Sequence, residues 1–314
     1  METHETIERA VEVLVNKPET APLPSKGEMR RTFSRMALGL CLGLLFCQLA
    51  SSVLSLIPGF DIRSHTFLVG SLCTGLFVLP LMLSITRRFP ARHPDGHRLS
   101  AGLFLALVCI CYACMIMGNL VGIGINMLLS PGSVDLVANL TTAAGPSLEM
   151  VIAFAVLAPV FEELVFRKIL VDRVLPYGEW PAILFSGITF GLFHGNLTQF
   201  FYAALLGMIL AYVYIRTGNI LYTMGIHACV NCLGGVLPVL FPAISGFIMI
   251  VALAGIVLFF LLKKRIHIEK NAVPGVGGAM FGNVGMILFL LSSIALMTMV
   301  AYIMNHPELT NGLL

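Results

Sequence analysis

Residues 147–169 read SLEMVIAFAVLAPVFEELVFRKI, and the fold turns on how this stretch is classified. It is long enough to cross a bilayer, which takes about 20 apolar residues in a helix. Yet it carries the adjacent pair Glu162-Glu163. A charge at the centre of a membrane helix is unfavourable by about 2.5–3.5 kcal/mol on insertion scales. Neighbouring carboxylates in such a place need partners. Arg167 stands four residues beyond Glu163, so the two share a helix face and can pair. Glu162 points about 100° away from that face and is left free to take or give a proton. A second reading is a solvated helix end with a surface ion pair, which nearby Lys168 and Arg173 keep open. Pro159, four residues before Glu163, removes a backbone hydrogen bond and predicts a kink just ahead of the pair.

Composition widens the membrane reading to the whole chain. Of 314 residues, 58% are hydrophobic and 11% charged, against about a quarter charged in a soluble domain. Mean hydropathy is +0.93. A soluble fold of this size could not hide that much apolar surface. The net charge is only +3, so the placement of charge carries more information than its total, and no nucleic-acid partner is expected. Membrane lipid is the expected surrounding.

Nine apolar spans are expected: 36–58, 66–86, 101–129, 147–169, 181–200, 201–215, 219–241, 244–262 and 283–304. The fifth and sixth are short and are interrupted by His194-Gly195-Asn196. Short broken segments suit a functional site, where polar groups face protein or water and not lipid. With the N-terminus in the cytoplasm, eighteen of the nineteen basic residues fall on the cytoplasmic side, and only Arg63 falls outside. That asymmetry orients the chain with its C-terminus outside, in the cell membrane. No apolar signal-peptide core begins within the first thirty residues, so the first span should remain in the membrane.

The division expected is a cytoplasmic tail over 1–35, N-terminal membrane helices over 36–146, a core over 147–241 and C-terminal helices over 242–314. The stretch 271–282 is rich in Gly and reads as a flexible linker, and 130–146 as an outer loop. Asn139 and Asn196 each begin a glycosylation pattern. The eight Cys all lie in apolar runs and read as small buried side chains, including the pair Cys229 and Cys232.

Other polar residues interrupt the later spans. His194 follows Phe190 by four residues, and Asn231 follows His227 by four, so each pair shares a helix face. The His227 and Asn231 spacing suits two ligands of one ion or two donors to one oxygen. Three helices thus bring Glu, His and Asn groups to comparable depth, a set that suggests activation of a water for hydrolysis.

These residues resemble a known family. Glu162-Glu163-Leu-Val-Phe-Arg167 matches EExxxR, Phe190-Gly-Leu-Phe-His194 matches FxxxH, and His227-Ala-Cys-Val-Asn231 matches HxxxN. In order and spacing they look like the CAAX proteases and bacteriocin-processing enzymes, also called the Abi family, which includes the type II CAAX prenyl endopeptidases. The resemblance covers residues 147 to 235. It implies an all-α membrane protease that hydrolyses a peptide bond in a membrane-associated peptide or protein. By that analogy Glu162 activates water with help from His194, while Glu163 and Arg167 hold the site together. His227 and Asn231 stabilise the oxyanion. Relatives are also described as metalloproteases. The corresponding alternative is a zinc ion bound by His194, His227 and either Glu162 or Glu163; HExxH is absent. Two other functions use such residues: a non-catalytic scaffold or bacteriocin-immunity protein on the same fold, and a proton-coupled transporter. A transporter would more often show inverted repeats, and none is visible.

Overall fold

The computed structural model describes residues 24–129, 140–141 and 143–305, and every regular element among them is helical. α1 spans Lys26–Leu54, α2 Ile62–Thr86 and α3 Ala101–Leu129. α4 is a composite helix over 148–174. α5 spans Glu179–Phe193, α6 Leu197–Thr217, α7 Ile220–Leu240 and α8 Ser245–Leu262. A short α9, Val276–Phe281, precedes α10, Val284–Asn305. The expected tail over 1–23, the loop segment 130–139 with Asn139, and the C-terminal 306–314 lie outside the described residues.

Among the described residues, seven helices are long and apolar enough to cross a membrane: α1, α2, α3, α6, α7, α8 and α10. Their outward faces are apolar, with Leu49, Leu76, Leu120, Leu261 and Leu291 each more than half exposed. An all-α, polytopic membrane bundle accounts for both facts. α4 and α5 fall on the fourth and fifth expected spans but are not among these seven and are different in kind. α4 carries the charges. α5 has 15 residues, about 22 Å of helix, against a hydrocarbon thickness of about 30 Å.

Four boundary expectations need correction. α1 begins at Lys26, ten residues earlier than expected, because Ser25 and Glu28 form a reciprocal capping box that satisfies the first free N–H groups. The fifth and sixth spans divide at His194–Asn196, not at 200/201. Gly195 takes the left-handed conformation (φ +57), which glycine adopts without strain, and the Asn196 side chain caps α6 by accepting from the Thr198 N–H. The expected linker 271–282 contains α9, which packs on α1 and buries Val276, Ala279 and Met280. Finally, Arg167 is fully buried and does not belong to a loop, so it says nothing about orientation.

α5 packs along α6, α6 along α3, and α3 along α8, while α10 and α9 lie on α1. The α5–α6 contact is backbone to backbone: a Cβ placed on Gly207 would sit 2.9 Å from the Gly187 Cα. Small residues at that crossing are what allow such an approach.

α2, α4 and α7 each contain a wide, π-type turn, at Thr74–Val78, Ala153–Leu157 and Cys232–Val236. Each turn ends two residues before a proline: Pro80, Pro159 and Pro238. In a π-type turn the N–H five residues on meets the carbonyl. Proline has no N–H, so the carbonyl five residues before it is left without a donor from its own chain segment. In α4 that carbonyl belongs to Phe154.

Candidate active site

The side chains singled out in the sequence come from three helices and meet in one place. α4 supplies Glu162, Glu163 and Arg167; the end of α5 supplies Phe190 and His194; α7 supplies His227 and Asn231.

The buried half of this group is ionic. Glu163 and Arg167 have fully buried side chains, with Glu163 Oε2 3.1 Å from Arg167 Nε. The two face each other without the alignment of a hydrogen bond, and Arg167 Nη1 and Nη2 have no hydrogen-bond partner among the described residues. The guanidinium instead lies over the Phe190 ring, its Cζ 4.6 Å from the centroid, a cation–π contact that strengthens where water is excluded. Glu163 reaches the other way with Oε1, 2.9 Å from His227 Nδ1. One carboxylate therefore joins α4 to itself and to α7. The solvated-helix-end reading does not describe Glu163 or Arg167.

The remaining half faces a cavity of about 340 Å³ lined by Glu162, His194, His227 and Asn231. Glu162 is partly exposed there, with Oε2 3.7 Å from His227 Nε2. The histidines are held alike. His194 Nδ1 lies 2.8 Å from the Phe190 carbonyl, which can only accept, so Nδ1 carries the proton and Nε2 is the free nitrogen. His227 Nδ1 is occupied by Glu163, and its Nε2 faces Glu162. Phe190 stands between them, with ring centroids 4.9 Å from His194 and 5.8 Å from His227. Its ring thus touches both imidazoles and the Arg167 guanidinium.

Asn231 is less free than its motif implies. Its Nδ2 donates to the Phe154 carbonyl at 3.0 Å, the carbonyl that Pro159 leaves without a donor. One amide N–H remains for the cavity. Among the described residues, no three His, Cys, Asp or Glu side chains gather as a group able to hold a metal.

Sequence reasoning did not find the rest of the wall. Gln48 of α1, Thr66 and Thr74 of α2, Gln199 and Tyr202 of α6, and Val300 of α10 also line the cavity. Gln48 and Gln199 had a legible signal, since each is an amide inside an apolar run. Val300 had none.

Residues 144–233 match the family model described as type II CAAX prenyl endopeptidase Rce1-like. That segment is similar to a CAAX-protease core over 90 of the chain's 314 residues. No curated protein and no solved structure matches the chain. At family level the similarity supports a membrane-embedded endopeptidase, and the matched segment contains every residue of the three motifs. The bundle gives that core its walls: α1, α2 and α10 lie outside the matched segment and close the cavity around it.

Proposed function

We propose that the chain hydrolyses a peptide bond in a membrane-associated peptide or protein by activating a water in this cavity. The observation that carries the proposal is that Glu162 and the Nε2 atoms of two oriented histidines face the same cavity, while Glu163 and Arg167 are paired with each other in the buried interior. The water sits against Glu162 and His194 Nε2. As its oxygen attacks the carbonyl carbon, Glu162 takes its proton. Neutral His227 presents a lone pair at Nε2 and donates there only as an imidazolium. Passage of the proton from Glu162 to that nitrogen creates the imidazolium as the oxyanion forms, with Glu163 beneath it. The free N–H of Asn231 is the second donor. His227 then returns the proton to the leaving amine, which leaves one acid and one amine. Removing a donor to an oxyanion lowers rates by about 10²–10³.

The test is a comparison of membranes carrying the wild type with membranes carrying Glu162→Gln, scored for new peptide ends. Ends made only by the wild type support the proposal. Identical end profiles would leave a scaffold or immunity role on the same fold. The zinc alternative is decided by metal content. Full activity with far less than one metal per chain removes it. Activity lost on chelation and restored by zinc would instead make His194, His227 and a glutamate ligands, with the ion acidifying the water.

A further inference from the structure

The cavity and the basic residues lie at opposite ends of the bundle. On α1 the cavity is lined by Leu44, Gln48 and Ser51, near its C-terminal end, whereas Arg30, Arg31 and Arg35 stand near its beginning. α2 runs back the other way, and it lines the cavity with its first half, Thr66 to Thr74. α4 contributes Ala153, Phe154, Ala158 and Glu162, all ahead of Lys168 and Arg173. α6 contributes its first half from Asn196 to Leu206, and Arg216 lies at its far end. Val300 lines the cavity from the last turns of α10.

Between the active-site cavity and the basic end, α4 is packed shut; a separate cavity of about 380 Å³, lined by Tyr212, Arg216, Lys263 and Arg265, lies at that end and shares no lining residue with the first. After Glu163, α4 continues through Val165, Phe166, Arg167 and Leu170, all fully buried. Beyond them Asp172, itself buried, is held by His93 at 2.7 Å, Lys168 at 3.0 Å and the Tyr214 hydroxyl at 2.9 Å. That cluster ties the segment after α2 across the end of α4. A second clasp, Arg216 with Glu179 and the His267 carbonyl, ties the segment after α8 across α5 and α6. α5 explains the asymmetry. Starting from the closed end, it stops after 15 residues, so His194 to Asn196 turn back inside the membrane and leave a hollow on the other side.

We propose that the cavity receives its substrate from the membrane face opposite the basic segments, which the positive-inside rule makes the non-cytoplasmic face. The substrate class is then the external juxtamembrane segment of a membrane-anchored peptide. The mouth suits such a segment: Gln48, Ser51, Thr66 and Gln199 offer uncharged polar groups for backbone amides. A prenylated chain end presented from the cytoplasm would meet the closed side. The substrate class rests on the peptidase reading; the direction of access does not.

The experiment reads access alone, so its failure is distinct from failure of the chemistry. Single cysteines Gln199→Cys and Lys264→Cys are placed in a cysteine-free chain and exposed to a membrane-impermeant maleimide. Intact cells and inverted vesicles are compared. Gln199→Cys should label in intact cells and lose that labelling in inverted vesicles, and Lys264→Cys should do the reverse. Labelling of Gln199→Cys from the cytoplasmic side, or from neither side, overturns the proposal. Should the cysteine-free chain fail to fold, the same substitutions on the wild-type chain, read as labelling above that of the wild type, decide between the same outcomes.

Discussion

Glu162 and Glu163 are adjacent and chemically identical, and the helix sends them to different environments. Glu163 is fully buried against Arg167 and His227; the Glu162 side chain keeps about 19% of its surface exposed, in the cavity. Substitution should separate them. Glu163→Gln leaves a buried guanidinium facing a neutral amide, and breaking a buried pair in this way destabilises by about 3–5 kcal/mol. Glu162→Gln removes no buried partner, so thermal unfolding in detergent should place it near the wild type and Glu163→Gln well below. Equal unfolding temperatures would refute the division of roles. This much was legible beforehand from spacing: four residues put Glu163 and Arg167 on one face, and about 100° turns Glu162 away. The hydrogen bond from His227 to Glu163 was not legible, because it depends on how deep α7 sits against α4, and no local pattern encodes that depth.

At the scale of the helix, a proline and an asparagine 72 positions apart act as one unit. Pro159 removes the donor for the Phe154 carbonyl, and Asn231 supplies one. Asn231→Ala should therefore destabilise the protein by about 1–3 kcal/mol, the penalty for an unsatisfied buried group. Pro159→Ala restores an N–H to α4, so in that background Asn231→Ala should be less damaging by about 1 kcal/mol. A double-mutant cycle on thermal or denaturant unfolding measures the difference; additivity within about 0.5 kcal/mol would rule out the coupling. The sequence announced a disturbance at Pro159 but not its form. A kink and a widened turn both follow from a missing N–H, and the choice depends on a partner from another helix. The same dependence on long-range contact hid α9, whose glycine-rich segment has little intrinsic helix propensity and is helical where it packs on α1.

For the whole molecule, the closed end rests on Asp172 and on Arg216 with Glu179. Asp172→Ala removes the His93–Asp172 contact that ties the segment carrying Arg87, Arg88, Arg92 and Arg98 to α4 and leaves the backbone bonds from Arg92 to the residue-172 carbonyl and from His97 to the Arg216 carbonyl. Trypsin added to inverted vesicles should cut there faster in the variant than in the wild type, and an unchanged rate would show that the cluster does not pin the segment. The order of helices and their spans were readable from hydropathy almost throughout. The one-ended cavity was not, since it arises from the shortness of α5 combined with walls from α1, α2 and α10. That geometry has an electrical consequence. Water entering from one face carries that side's potential inward, so the membrane field falls mainly across the closed half. On the proposed route of access, Glu162 and the two histidines exchange protons with the compartment that the cavity opens to and sit near its potential. Cleavage in sealed vesicles should follow the pH on the cavity side and ignore both the pH of the other compartment and an imposed diffusion potential. A rate set by the pH of the basic side would mean that protons reach the site through the closed end.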